Sequence, residues 1–250
     1  MNKNFFIIMD LKLKNKVALV TGSTRGIGLE IAKNLEEEGC IVVFNGRKKL
    51  SKNFNYISAD ITKFDECQKL IKKTIQKFGH LDILVCNVGS GKVKNLDYEK
   101  QTNWDEMFSI NLYSTTNIIK SAQKELAKTR GVITCISSIA GIETTSAPIT
   151  YAVSKSALNA FVKTSSKKFA NKKIRINAIA PGNIMFNGST WEQKMKKNPS
   201  AIKKMINEKV SMKRFGTPND ISSLAVFLSS EKASFITGAV YVVDGGQINS

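Results

Sequence analysis

Short apolar runs rich in β-branched residues alternate with longer amphipathic stretches from residue 16 to residue 243. The runs are almost continuously apolar, which is typical of strands in a parallel sheet that helices cover on both faces. This pattern predicts seven strands, at residues 17–21, 40–45, 54–59, 82–87, 131–137, 174–180 and 239–243. Helical patterns fall between them, so the strand–helix–strand units make right-handed crossovers. The predicted fold is α/β, a Rossmann-like doubly wound parallel sheet.

One domain accounts for nearly the whole chain, because no linker, repeat or low-complexity segment interrupts the alternation. We interpret residues 1–10 as a loose leader and residues 11–250 as the domain. The apolar run FFIIM in the leader is too short for a membrane span and lacks a cleavage-like segment, so neither an anchor nor a signal peptide is expected. Met9 is an alternative start of translation. Residues 183–216 are the least regular stretch and are predicted to form a loop over a substrate.

The composition is that of a soluble globular protein, with 42% hydrophobic and 23% charged residues among 250. The four cysteines lie far apart, three of them in apolar surroundings. We therefore expect buried, reduced thiols and a cytoplasmic location, without a disulfide framework or a metal site.

The net charge of +18 raises the question of a nucleic-acid partner. Only five of the 38 basic residues are arginines, and the lysines are scattered along predicted helices rather than gathered on one face. No nucleic-acid-binding motif accompanies them. We therefore expect no nucleic-acid partner, although the charge would attract an anionic substrate or cofactor.

A glycine-rich stretch, TGSTRGIG, joins the first predicted strand to a helix. Gly22 permits a tight turn, Gly26 lets the backbone approach a pyrophosphate, and Gly28 lets helix and strand pack closely. The helix N-terminus adds free N–H groups and the positive end of its dipole. The spacing differs from GxGxxG, but the position at the first strand–helix junction predicts a dinucleotide site. Its residues are Gly22, Ser23, Thr24, Arg25, Gly26, Ile27 and Gly28.

The end of the second strand indicates which dinucleotide binds. A carboxylate there would hold the ribose 2′-hydroxyl and repel a 2′-phosphate, whereas this strand is followed by Arg47 and Lys48. Arg25 is expected near the same spot, and the planar guanidinium suits bidentate phosphate contacts. The hypothesis is NADP(H) rather than NAD(H).

Tyr151 precedes Lys155 by four residues in a helical stretch, which puts both on one face. A nearby cation can lower the pKa of a phenol from about 10 by one to three units, towards the range of efficient acid–base catalysis. The spacing alone is weak evidence. Ser138, at the end of the fifth strand, adds a donor for a substrate carbonyl. Asn111 is a misfit in mid-helix that can open the helix and hold a water.

Taken together, these motifs resemble the short-chain dehydrogenase/reductase family, from about Leu11 to Gln247. The matching segments are TGSTRGIG, Asp60 in SADIT, NVG at 87–89, Asn111, Ser138, Tyr151 with Lys155, PGNI at 181–184 and VDGG at 243–246. The resemblance implies an enzyme that interconverts a carbonyl and a secondary alcohol by hydride transfer with NADP(H), commonly as a homotetramer.

By the same resemblance, four side chains would form the catalytic set. Tyr151 would protonate the carbonyl oxygen that Ser138 orients. Lys155 would lower the pKa of the tyrosine and bind the nicotinamide ribose, and Asn111 would hold a water of a proton relay. Further cofactor contacts would come from Asp60 and Ile61 at the adenine, Asn87 to Gly89 at its ribose, and Pro181, Gly182 and Ile184 towards the carboxamide.

Two positions depart from the family pattern. Cys86 stands where the family has an asparagine, and Phe186 stands where it often has a threonine that touches the pyrophosphate. His80 is given no catalytic role, and without a second histidine a hydrolase triad is excluded.

The substrate stays open at this point. The nearest overall similarity is to 3-oxoacyl-carrier-protein reductases. Lys92 and Lys94 could instead receive a phosphorylated or nucleotide-linked sugar, as in bacterial surface-glycan synthesis. A silent NADP-binding scaffold is a third interpretation. In the loop at 183–216, the apolar side chains either line the substrate site or pack the loop on the core; they are Trp191, Met195 and Met205.

Overall fold

A computed structural model describes residues 9–48, 55–92 and 100–249. Its strands are β1 Val17–Val20, β2 Ile41–Gly46, β3 Tyr56–Ser58, β4 Ile83–Cys86, β5 Val132–Ile136, β6 Arg175–Pro181 and β7 Val240–Val243. They form one parallel sheet in the order β3–β2–β1–β4–β5–β6–β7. Each lies where the apolar pattern predicted a strand, so the Rossmann-like doubly wound fold is confirmed.

Helices cover both faces of this sheet. Within the described ranges they are α1 Gly26–Glu37, α2 Phe64–Phe78, α3 Gln101–Phe108, α4 Ser114–Thr129, α5 Ile149–Ala170, α6 Thr190–Lys197, α7 Pro199–Lys209 and α8 Pro218–Ser229. A π-helical turn, Ser109–Tyr113, separates α3 from α4. None of the helices in these ranges is long and apolar enough to cross a membrane.

The stretch at 183–216 is more regular than its sequence indicated, because it contains α6 and α7. The Ser189 hydroxyl caps α6 by accepting a backbone N–H of its first turn at 3.0 Å. Asn198 caps α7 in the same way at 3.1 Å, and Pro199 occupies its first turn. These capping contacts define two short helices in a lysine-rich sequence whose apolar periodicity is weak.

The core consists of two hydrophobic clusters, one on each face of the sheet. Val17 and Leu19 of β1 point into one cluster, and Ala18 and Val20 point into the other. Alternate residues of a strand face opposite sides, so strands buried on both faces must be apolar throughout. This explains why the strands could be predicted from the sequence.

The amino and carboxyl ends of the strands carry different groups. At the amino ends of β1 and β4, Asp82 accepts a hydrogen bond from Val17 N at 2.8 Å and pairs with Lys16 at 3.2 Å and His80 at 3.1 Å. His80 therefore lies at the edge opposite the predicted site. At the carboxyl ends, the direction of winding reverses between β1 and β4, which opens a crevice where doubly wound sheets bind ligands.

Candidate active site

The glycine loop between β1 and α1 is fastened to the end of β4 by Asn87. The side-chain amide of Asn87 donates to the carbonyls of Thr21 at 3.0 Å and Gly22 at 3.1 Å. The backbone N–H of Asn87 donates to Thr21 Oγ1 at 3.0 Å, and that hydroxyl donates to Val85 O at 3.1 Å. Because β1 and β4 flank the crevice, these bonds fix the loop at its centre.

Glycine is required at two positions of this loop. Gly22 has a φ of +63°, in the left-handed region that favours glycine. A Cβ atom on Gly28 would lie 2.3 Å from Asn87 Nδ2 and 2.7 Å from the carbonyl oxygen of Gly22. The loop thus keeps the N-terminus of α1 close to the strand end, in a form that fits a pyrophosphate.

We expect Gly28→Ala to abolish measurable dinucleotide binding and to destabilise the fold by about 1–3 kcal/mol, because the new methyl group meets a backbone carbonyl that cannot move away. Quenching of NADPH fluorescence and urea unfolding measure the two effects. Gly79→Ala is the control for a loss of stability alone: its φ of +84° strains an alanine, no neighbour lies within 4 Å of the added Cβ, and we expect it to keep wild-type NADPH binding. Wild-type NADPH binding by Gly28→Ala would contradict the assigned role of the loop.

Arg25 and Arg47 differ in the contacts that they make within the protein. Arg47 is exposed at the end of β2, where Thr24 packs against the preceding Gly46. The Arg25 guanidinium instead donates from Nη1 to the carbonyl of Gly188 at 3.1 Å, in the segment after β6. The hydrogen bond to Gly188 occupies one nitrogen of Arg25, and the approach of both guanidinium groups to one phosphate stays a prediction.

Ser23 and Asp60 use their side chains within the protein. The Ser23 hydroxyl donates to a carbonyl of β1 at 2.8 Å and accepts from a backbone N–H of β2 at 2.9 Å. Asp60 Oδ1 accepts from the backbone N–H of Thr62 at 3.1 Å and its hydroxyl at 2.8 Å. Ile61, beside Asp60, is buried. The side chains of Ser23 and Asp60 therefore stabilise their own loops. The cofactor contacts of Ser23, Asp60 and Ile61 stay predictions.

Lys155, on α5, lies buried in the floor of the crevice. Its Nζ donates to the carbonyl of Ile136 at the end of β5 at 2.8 Å and lies 5.9 Å from the centre of the Tyr151 ring. A Cβ on Gly89 would lie 3.1 Å from that Nζ and 3.0 Å from Asn111 Oδ1. Gly89, Asn111, Tyr151 and Lys155 are thus brought together.

Burial shifts the proton affinities of the tyrosine and the lysine. It lowers the pKa of Lys155 from 10.5 to about 8. It also raises the pKa of Tyr151, and a hydrogen bond with Ser138 opposes this only in part. The net pKa of Tyr151 is thus raised rather than lowered in the chain by itself, because desolvation of a phenolate dominates, and the lowering effect assigned to Lys155 stays a prediction.

Ser138 begins a 3-10 turn, Ile139–Gly141, directly after β5. Its Oγ accepts the backbone N–H of Ala140 at 3.2 Å. A hydroxyl that accepts in this way keeps its own hydrogen available for donation. Ser138 shares a hydrogen bond with Tyr151 in the chain by itself, and a substrate oxygen placed between the two hydroxyls would replace that bond and accept from both.

Asn111 opens the helix, as its misfit predicted, because it lies within the π-helical turn. Its amide has a partner that sequence reasoning missed. Asn111 Oδ1 accepts from Ser90 N at 2.9 Å, and its Nδ2 donates to Ser90 O at 3.0 Å. This pair of bonds holds the segment that carries Gly91 against the ring of Tyr151. The sequence carried no signal of this pair, and the relay water stays a prediction.

The turn after β6 lies on the same edge of the sheet. Gly182 donates from its N–H to Val243 O at 3.0 Å, and Ile184 pairs with Gly216 in an isolated bridge. Pro181, the last residue of β6, pairs with Val243 of β7. These residues lie on the predicted rim, and their contacts with a carboxamide stay predictions.

All four cysteines are free and buried, as expected. Cys86 and Cys135 are register partners on β4 and β5, and burial raises the pKa of the Cys86 thiol. Within the described ranges, no group of three or more histidine, cysteine or acidic residues is arranged to hold a metal ion. Lys94 lies outside the described residues.

Comparison with known proteins agrees with this geometry. A family model described as enoyl-(acyl carrier protein) reductase matches residues 22–247. The chain belongs to the short-chain dehydrogenase/reductase family. It is 34% identical, over 93% of its length and 98% of the relative, to the 3-oxoacyl-(acyl-carrier-protein) reductase FabG of Staphylococcus epidermidis.

Two solved structures show how widely chemistry varies on this family's fold. L-sorbose reductase from Gluconobacter frateurii, complexed with NADPH and L-sorbose, matches with a TM-score of 0.88 at 26% identity, over 97% of this chain and 100% of that one. A 7α-hydroxysteroid dehydrogenase, complexed with NADH and 7-oxo glycochenodeoxycholic acid, matches with a TM-score of 0.85 at 29% identity, over 96% and 97%. The chain is therefore an oxidoreductase by family, and its cofactor must be inferred from its own residues.

Proposed function

We propose that the protein interconverts a carbonyl and a secondary alcohol by hydride transfer with NADP(H). The observation that carries this proposal is the convergence of Tyr151, Ser138 and buried Lys155 beside a glycine loop that only glycine can form. The close packing of Gly28 against Asn87 and the carbonyl of Gly22, and of Gly89 against Lys155, fits a dinucleotide lying along the crevice.

The bound nicotinamide would supply or accept the hydride, and the residues of this chain would handle the proton. In reduction, Ser138 and Tyr151 donate hydrogen bonds to the substrate oxygen, and Tyr151 transfers its proton as negative charge develops there. The raised pKa of Tyr151 keeps the phenol protonated at neutral pH, which is the state that an acid requires. The ammonium of Lys155 then stabilises the phenolate that forms.

The preference for NADP(H) rests on Arg47 and Lys48 and on the lack of an acid at the end of β2. We expect Arg47→Ala to raise the KM for NADPH by about 10- to 100-fold, since a charge-assisted phosphate contact is lost. The KM for NADH should change little. Arg130→Asn is the matched control, because Arg130 is exposed at the end of α4 and asparagine tolerates its left-handed φ of 55°. Equal or better kcat/KM with NADH in the wild type would contradict the preference.

Two classes of substrate have support. The similarity to FabG supports a 3-oxoacyl group linked to a carrier protein. The similarity to L-sorbose reductase supports a sugar, and Lys92 follows Gly91, which packs on the Tyr151 ring, so a phosphate on such a substrate would find a cation nearby. The acyl substrate is our first choice because the identity to FabG, 34%, is higher than the 26% to L-sorbose reductase.

A panel of carbonyl substrates with NADPH tests the proposed function. The panel includes a β-ketoester, a free sugar and a sugar phosphate, and the loss of NADPH absorbance is measured. We expect turnover of the β-ketoester above that of both sugars. Quenching of NADPH fluorescence without turnover of any carbonyl would instead favour the scaffold interpretation.

The homotetramer is kept as part of the proposal. Self-association would bury two apolar side chains that are exposed on one face of α5. They are Ile149 and Val153, which lie one turn apart at the start of the helix.

A further inference from the structure

The segment after β6 is anchored on the glycine loop at two points. The ring of Phe186 lies against Gly26, so closely that a Cβ there would be 2.6 Å from the ring carbons. Two residues further on, the carbonyl of Gly188 accepts the hydrogen bond from Arg25. The glycine at position 26 is thus needed for contact with this ring, in addition to its φ of +57°.

This part of the segment is internally braced. Ser189 is buried, and its hydroxyl accepts from Phe186 N at 3.3 Å and Glu192 N at 3.0 Å. The Glu192 carboxylate accepts from Gly188 N at 2.7 Å. Because Glu192 lies in the first turn of α6, a contact made by Phe186 fixes the start of that helix.

The anchor is mainly hydrophobic. Phe186 is partly buried and packs on the same core cluster as Ile27 and Leu29 of α1 and Tyr56 of β3. The threonine that the family pattern often has at this position would offer a hydroxyl to the cofactor. A phenyl ring instead contacts the protein itself, so its contribution is present whether or not a dinucleotide is bound.

We propose that Phe186 is a positioning residue that holds the substrate-covering segment, residues 186–209, against the glycine loop before the cofactor binds. This inference rests on the proposed function. Its consequence is that the substrate and the dinucleotide can bind in either order. A segment that only the cofactor holds in place would instead require the cofactor to bind first.

Hydrogen–deuterium exchange of the full chain tests the proposal directly. In the wild type, the amides of residues 189–209 should exchange at similar rates with and without NADP+, differing by less than about threefold. Without NADP+, the amides of this segment should exchange at least about tenfold faster in Phe186→Ala than in the wild type. The reason is that the segment of the variant can open without first losing the packing energy of the ring. Phe186→Leu, which keeps an apolar contact, should restore slow exchange. Phe235→Ala is the matched control, since that ring is fully exposed.

A kinetic readout separates positioning from a general loss of stability. With ethyl acetoacetate as the probe, Phe186→Ala should raise the KM for the ketoester by about tenfold while kcat stays within about threefold. Phe186→Leu should recover the wild-type KM.

Two results would overturn the proposal. One is a wild-type segment that exchanges at least about tenfold faster without NADP+ than with it. The other is a Phe186→Ala variant whose segment exchanges like the wild type. If NADP+ fails to bind at all, the proposed function is wrong, but the comparison of cofactor-free variants still decides the role of Phe186.

Discussion

Tyr151→Phe should lower kcat/KM for carbonyl reduction by about 10²–10⁴-fold while the Kd for NADPH changes by less than about threefold. The reason is that the substitution removes a single oxygen, the one that donates the proton. The ring, which packs against Gly91 and lies 5.9 Å from Lys155 Nζ, is kept. Turnover of a β-ketoester and quenching of NADPH fluorescence measure the two quantities.

Tyr113→Phe is the matched control for this variant. Tyr113 is half exposed at the end of the π-helical turn, and the same oxygen is removed there without contact with the crevice. We expect it to keep wild-type turnover. If Tyr151→Phe retained more than about a tenth of the activity, the assignment of the proton donor would be wrong.

Lys155→Met should abolish turnover and yet stabilise the fold. The pKa of Lys155 falls from 10.5 to about 8 in the folded chain, so keeping the buried ammonium charged at neutral pH costs on the order of 3 kcal/mol. Loss of the hydrogen bond to Ile136 O offsets part of this gain, by about 1–2 kcal/mol. We expect a net stabilisation of about 1–2 kcal/mol at pH 7, measured by urea unfolding.

The pH dependence of this stabilisation identifies its cause. The pKa of Lys155 is lower in the folded state, so between about pH 8 and pH 10.5 the unfolded state binds more protons and the wild type gains stability as the pH rises. The advantage of Lys155→Met should therefore be complete below pH 8 and turn into a disadvantage of about 1–2 kcal/mol by pH 10.5, where only the loss of the hydrogen bond to Ile136 O remains. A variant that is less stable than the wild type at pH 7 would show that the ammonium is better solvated than its burial indicates.

The fold was predictable because the sheet is buried on both sides. β1 has no residue that faces water, and neither do β4 and β5, so their sequences contain little except apolar residues. The helices in 183–216 were harder, since their ends depend on caps such as Ser189 and Asn198 rather than on a strong apolar stripe.

The sequence predicted which residues form the candidate site, but it did not predict the pKa shifts of those residues. Motif order placed Ser138, Tyr151 and Lys155 together, and the structure brings them into one crevice. A lysine in a sequence gives no sign of burial, so the desolvation that governs the pKa of both Lys155 and Tyr151 was invisible.

Long-range partners were also beyond the reach of sequence reasoning. Arg25 bonds to Gly188, 163 positions away, and no local pattern links the two. Asn111 showed its misfit to a helix, but its partner Ser90 depends on how the end of β4 meets α3.

The central claim is that this crevice directs hydride between a nicotinamide and a carbonyl carbon. The most direct test uses NADPH deuterated at C4 of the nicotinamide, with each of the two faces labelled separately, and a β-ketoester as acceptor. Mass spectrometry of the product alcohol should find the deuterium on the carbinol carbon for one labelled face and not for the other, and Tyr151→Phe should form almost no labelled product. Oxidation of NADPH without deuterium on that carbon would contradict the account.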